Sequence, residues 1–158
     1  MATQAPALAT QPELLLGFRF GVFFFSLQGK SDQVDLRFQK VSGLASSVKT
    51  TPLSEGGQNL YIQQLPNGIE NSRLVLERGM VANSPLFERF NEVLMQYKFT
   101  LSNVMVTLYD ELGKSVSAWL LIKAFPVKWS MSELDANDKK LLIDRMELAY
   151  SRIQIVRP

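Results

Sequence analysis

The chain has 158 residues, enough for one domain with a sizeable core. Hydrophobic residues at 46% and charged residues at 20% fit a globular protein and exclude a disordered one. The 17 basic and 15 acidic residues leave a net charge of +2, too balanced to imply nucleic-acid recognition or a membrane-surface partner. With no His and no Cys, the commonest general base, the soft metal ligands, the thiolate nucleophile and any disulfide scaffold are all missing.

Residues 1–12 are mostly small and polar, without a basic leader or a long apolar run. They do not form a secretory signal, so synthesis in the cytoplasm is expected, with release by lysis or inside a larger particle. The division expected is a flexible arm at 1–16 and one domain at 17–158. The apolar stretch near residue 14 is too short to cross a bilayer, so no membrane insertion is expected.

Residues 18–27 read as a strand with Phe18, Phe20, Val22 and Phe24 on one face. Its other face carries Phe23 and Phe25, so it is buried between layers or covered by a partner. Gln28-Gly29-Lys30-Ser31-Asp32 reads as a turn, and 34–42 as the returning strand of a hairpin. A short strand is expected at 44–51. A polar loop follows, including Ser54, Glu55, Gly56, Gly57, Gln58 and Asn59. Extended structure resumes to Leu65 and stops at the turn signal Pro66-Asn67-Gly68. Residues 72–77 alternate as a strand.

Ser84 before Pro85 predicts a helix start, with Ser84 as cap. Leu86, Phe87, Phe90, Val93, Leu94 and Tyr97 then make one apolar stripe. Strands at 103–109 and 116–124 flank the hairpin turn Asp110-Glu111-Leu112-Gly113-Lys114, and residues 126–129 prolong the second irregularly. A charged connection with short helical character is expected over 130–140. Residues 141–155 read as one long strand or a bent pair, with a helix as rival, and Leu142, Met146, Leu148 and Tyr150 lie opposite Arg145, Glu147, Ala149 and Ser151. Seven to nine strands and one helix predict a mainly β protein, a β-sandwich or barrel-like fold with a packed helix and a long polar loop.

Candidate chemistry is thin. Asp110 and Glu111 sit on a turn, where solvated carboxylates are the ordinary case. Ser54-Glu55-Gly56-Gly57 matches no nucleotide-binding loop. Asp135 and Asp138 lack the glycine and closing Glu of a calcium loop. No catalytic residue, cofactor or metal is expected. Trp119 and Trp129 read as core and interface aromatics, and Lys128 as a contact or a solvated lysine.

An ordered series runs through the chain: Phe38-Gln39-Lys40-Val41-Ser42-Gly43-Leu44, Glu55-Gly56-Gly57 with Asn59, Leu65-Pro66, Leu74-Val75-Leu76-Glu77-Arg78-Gly79, Asp110 to Gly113 with Trp119, Ala124-Phe125-Pro126-Val127-Lys128-Trp129, and Glu147-Leu148-Ala149-Tyr150. Over roughly residues 18–153 it resembles the tube proteins of contractile phage tails and extracellular contractile injection particles. The tip Gly29-Lys30-Ser31-Asp32 and the Glu-Leu-Ala-Tyr ending resemble the tube-initiator branch, which forms the first ring between spike hub and main tube. Phe87 and Phe90 stand where the family often shows Trp.

The resemblance implies a structural subunit and no enzyme. It implies a homohexameric ring whose strands join edge to edge into an inner β-barrel. A spike or hub protein lies on one side, the main tube protein on the other, with sheath or baseplate proteins around. The loop from Ser54 to Asn59 would reach adjacent subunits or rings. Lys128, Trp129, Asp135 and Asn137 are candidate ring contacts, and Arg145, Glu147 and Ser151 candidate lumen residues. The main tube protein is the close alternative, and a monomeric β-barrel binding module the distant one.

Overall fold

The computed structural model describes residues 19–26, 38–54, 56–57, 60–80, 84–134 and 140–156. The arm, the turn around 28–32, and Glu55, Gln58, Asn59, Asp135 and Asn137 lie outside the described residues. Nine strands and one helix follow in order: β1 (Phe20–Ser26), β2 (Lys40–Ser42), β3 (Ser46–Leu53), β4 (Gln63–Asn71), β5 (Leu74–Gly79), α1 (Pro85–Gln96), β6 (Ser102–Tyr109), β7 (Ser115–Met131), β8 (Ile143–Ala149) and β9 (Arg152–Val156).

Seven of the strands make one antiparallel sheet, ordered β1-β6-β7-β8-β5-β2, with β9 beside β7. Its organising element is β7, 17 residues long. The first part of β7 pairs with β6 and β9, and the last part, from Phe125 to Met131, pairs with β8. One strand therefore belongs to two layers, β1-β6-β7-β9 and β7-β8-β5-β2. Strands that change layers do so at bulges. Here β7 carries one extra residue between Leu121 and Ala124, opposite Asn103. Lys123 adopts φ 54 in this bulge, and its N–H donates to Asn103 Oδ1 at 3.1 Å. A second irregularity, at Val127, matches the uneven run expected for 126–129.

The core lies between the layers. Val22, Phe24, Val104, Val106 and Leu121 meet Leu74, Leu76, Met146 and Leu148, and Leu86 closes one end. The alternation in β5, β6 and β8 puts every second residue inside. Full burial of Leu74, Leu76 and Leu121 stabilises the fold by about 1.5–3 kcal/mol each. Tyr150 joins the core, and burial pushes its phenol above the ordinary value of 10.0.

Several expectations hold. The 141–155 segment is a bent pair of strands, not a helix. The turn after β6 is built by Asp110, whose Oδ1 accepts from the N–H of Leu112 at 2.9 Å and of Lys114 at 2.8 Å. That carboxylate is structural.

Others are corrected. Lys40–Ser42 does not run beside β1; it pairs with β5, and the partner of β1 is β6. Pro66-Asn67-Gly68 is no turn. It lies inside β4, where a register shift opposite Lys49 and Thr50 leaves Asn67 as the extra residue. A bulge absorbs the turn-prone residues, and Asn67 Nδ2 donates to Thr51 Oγ1 at 3.1 Å. The long polar loop shrinks accordingly, because residues 46–53 and 63–71 form a separate two-stranded ribbon. Ser84 occupies the N-cap position but makes no side-chain cap, because its hydroxyl is drawn to Arg78. The helical stripe stops early: Leu86, Phe90 and Val93 are buried, whereas Tyr97 is a left-handed C-cap at φ 53 with its ring exposed.

Candidate functional site

Beneath one face of the β7-β8-β5-β2 layer lies a buried polar knot. Arg78 shares its parity with Leu74 and Leu76, and Asp144 shares its parity with Met146 and Leu148. Both charges point inward, 4% and 6% exposed. Arg78 and Asp144 are register partners on adjacent strands. The guanidinium reaches Asp144 Oδ2 from Nε at 3.4 Å and from Nη2 at 3.3 Å. Nη2 also donates to Ser84 Oγ at 2.5 Å, and the guanidinium lies 5.7 Å from the Phe38 ring centre. The other carboxylate oxygen accepts from the Trp129 indole N–H. Trp129 in turn packs on Phe87 and Phe90, with ring centres 5.1 and 6.4 Å away. One ion pair thus fastens β5, β8, β7 and the start of α1 together.

The opposite face of the same layer is charged. Glu77 lies between Lys40 at 3.6 Å and Arg145 at 3.7 Å. Glu147 lies between Arg73 at 3.4 Å and Lys128 at 3.7 Å. Each carboxylate is mostly covered, and each cation stays about half or more exposed. With their cations in water, these surface pairs contribute about 0–1 kcal/mol each, so the ladder makes a wet, sign-alternating surface and adds little stability. Glu147→Gln is therefore expected to lower unfolding stability by less than about 1 kcal/mol. A urea titration at low and high salt checks this; a loss well above that size would mean the face is a stability element.

The candidate residues fall into groups. Arg145, Glu147 and Lys128 share the charged face. Ser151 leaves it, because the chain bends after β8; its N–H donates to the carbonyl of Ile122 at 3.0 Å. Trp129 is turned into the subunit, away from Lys128. Ser54, Gly56 and Gly57 are exposed where the β3-β4 ribbon ends. Nearly every ribbon residue is exposed. The root of the ribbon is tied down by Asn71 Nδ2, which donates to the carbonyl of Ser151 at 3.1 Å, and by the Ser72 N–H on the carbonyl of Ala45 at 2.9 Å. Arg78 and Asp144 were not among the candidates. The signal for them is a charge standing in an apolar register, once on each of two strands.

Among the described residues no group of three or more carboxylates could hold a metal ion, and no helix is long and apolar enough to cross a membrane. What the fold offers is edges and surfaces. Among the described residues, both strands of the ribbon have an unpaired side, β2 ends its layer, and from Phe125 onward β7 pairs on one side only. A two-stranded ribbon is marginal by itself in water, and open edges invite another chain. These features define the class: a strand-rich structural subunit designed to be joined to others.

The family model of the T4-like virus tail tube protein gp19 matches residues 16–154, so the chain belongs to the gp19 tail tube family. Its members are structural tube proteins and not enzymes. Among determined structures, the chain is similar to one in the cryo-EM structure of the anti-feeding prophage baseplate, 6-fold symmetrised. That match has 32% identity and a TM-score of 0.83, covering 99% of this chain and 98% of the other. A chain of the anti-feeding prophage tube-terminating cap matches at 22% identity and TM-score 0.80, with 100% of both chains covered. One from the sheath–tube complex of an extracellular contractile injection system in the extended state matches at 18% and 0.78, covering 99% and 100%. These last two likenesses concern the fold alone. No curated protein matches. The chain is a tail-tube or baseplate-type subunit of a contractile injection system.

Proposed function

We propose that this chain forms the first ring of the inner tube, the initiator that joins a spike hub to the main tube. The observation that carries this reading is the 32% identity, along almost the whole of both chains, to a chain of a baseplate. Likeness to a sheath–tube complex is lower in sequence, at 18%. Six copies would close a ring, in keeping with the 6-fold symmetrisation of that baseplate.

Closure would join the β2 edge of one copy to the open side of β7, beyond Phe125, in the next. The β7-β8-β5-β2 layers would then make a continuous inner barrel, which removes the exposed edges. Arg145 and Glu147 would face the lumen on the charged ladder, where bound water opposes sticking by passing cargo. The ribbon ending at Ser54, Gly56 and Gly57 would reach an adjacent subunit or ring. A hub protein on one side, the main tube protein on the other, and surrounding sheath or baseplate proteins are the partners of this reading.

The second reading is the main tube protein, favoured by the fold likeness to the sheath–tube complex at TM-score 0.78. Negative-stain electron microscopy of the purified protein at high concentration separates the two. Single rings that do not stack are expected. Long tubes would overturn the initiator in favour of the main tube. Compact monomers that also fail to ring on a matching hub would remove both.

A further inference from the structure

Pro66-Asn67-Gly68 makes no turn and takes no part in the buried knot or the charged ladder. Of the chain's seven asparagines, only Asn67 precedes a glycine. That order matters chemically. The backbone nitrogen of the following residue can attack the asparagine carboxamide, and a side chain on that residue shields the nitrogen. Glycine offers no such shield. Asn67 and Gly68 are both exposed, and nothing lies within 4 Å of the point where a Cβ on Gly68 would stand. Gly68 also holds φ at +128, a conformation that glycine adopts freely.

The local backbone adds to this exposure. Lys49 faces Gly68 and Thr50 faces Pro66, so no residue of β3 faces Asn67. A two-stranded ribbon opens locally at small cost, and the backbone can reach a ring-closing geometry without unfolding the subunit. The other described asparagines are held. The Asn71 carboxamide accepts from Ser46 Oγ at 2.7 Å and donates to the carbonyl of Ser151 at 3.1 Å. The Ser72 nitrogen that would attack it is bound to the carbonyl of Ala45. Asn91 lies within α1, where the helix ladder fixes the next N–H. Asn103 is followed by the branched and fully buried Val104.

We propose that Asn67 is a site of spontaneous deamidation through a succinimide, with water as the only co-reactant. The Gly68 nitrogen gives up its proton and forms a bond to Asn67 Cγ. The bond from Cγ to Nδ2 breaks, and Nδ2 leaves as ammonia after taking a proton from solvent. Water then opens the succinimide. Opening at one carbonyl gives aspartate. Opening at the other gives isoaspartate, whose main chain runs through the side-chain carboxyl. The net change converts an amide and water into a carboxylic acid and ammonia, so nothing is oxidised or reduced. Thr51 Oγ1 now accepts from Asn67 Nδ2 at 3.1 Å; its hydroxyl can donate to the new carboxylate instead. The isoaspartate form lengthens the backbone by a methylene at the bulge, where a residue already stands unpaired. Each event also takes one unit from the net charge of +2.

The test needs no variant and does not depend on the ring reading. The full chain is kept in mildly alkaline buffer, and samples taken over time are mapped by proteolysis and mass spectrometry. Conversion at Asn67 is expected to run at least tenfold faster than at any other asparagine of the chain. Conversion there no faster than elsewhere would overturn the assignment. A protease that cuts before aspartate separates the two products, because it leaves isoaspartate joined to the preceding residue. Both products are expected, and aspartate alone would overturn the route through the succinimide. The rate is expected to rise with pH, since the attacking nitrogen must first lose its proton. A rate that stays flat from neutral to alkaline pH would overturn attack by the backbone.

Discussion

Asp144→Ala is expected to destabilise the subunit by about 3–5 kcal/mol, a large part of what holds a domain of this size together. The carboxylate is 6% exposed and meets both the Arg78 guanidinium and the Trp129 indole N–H. Removing it leaves a buried cation with the Ser84 hydroxyl and the Phe38 ring as company. The cost is mostly that of the stranded charge, so replacing both partners distinguishes the cause. A double variant, Arg78→Met with Asp144→Leu, is expected to lose much less than Asp144→Ala alone. Trp129 lies within the knot, so its fluorescence follows urea unfolding directly. A single variant within 1 kcal/mol of the parent, or a double variant as weak as the single, would contradict this account.

The second large effect is expected at Gly43. Its φ is +83, and a Cβ built there would lie 1.8 Å from the carbonyl oxygen of Arg73 and 2.9 Å from its carbon. No side-chain rotation relieves a collision with backbone. Gly43→Ala must lift residues 43–45 off the start of β5. That would break the Ser72-to-Ala45 hydrogen bond and the reach of the Tyr150 hydroxyl to the carbonyls of Gly43 at 3.4 Å and Ala45 at 3.3 Å. A loss on the order of 3 kcal/mol or more follows. Gly57→Ala is the control. Its φ of +95 carries similar strain, but nothing lies within 4 Å of the added carbon. The expected cost there is about 1–2 kcal/mol, confined to the ribbon end. Equal losses at the two sites would mean that conformation and not collision sets the cost at Gly43.

Much of the fold was legible because its signals are local. Alternation placed Leu74 and Leu76 inside, the Asp110 turn carried its own side-chain chemistry, and Pro85 marked the helix start. Pairing was less legible, because it depends on residues far apart. Phe20 pairs with Leu108, and nothing near either residue says so. The Pro66-Asn67-Gly68 signal misled for a related reason. A bulge uses the same residue types as a turn, and only the opposing strand decides which forms. Ser84 illustrates competition: a hydroxyl suited to capping a helix was claimed by a buried guanidinium six residues earlier. Of the candidate surface, the parity of Arg145 and Glu147 was readable from the strand itself. Their partners come from other segments: Glu77 for Arg145, and Arg73 and Lys128 for Glu147.

The sharing of β7 between both layers also has a kinetic side. Until β6 is made, β1 lacks its partner, and until β8 is made, β5 has only β2 as a sheet neighbour. The β5-β2 pair joins β7 and the rest of the sheet only through β8, near the end of the chain. A chain still being synthesised therefore holds two unconnected strand sets, with apolar faces and open edges. Sheets closed by such distant pairings fold slowly and are exposed to aggregation while they wait. The last strands act as the switch from a nascent chain that must be kept apart from its copies to a finished subunit able to join them. Truncation within β8 would therefore leave insoluble fragments, not a smaller tube subunit.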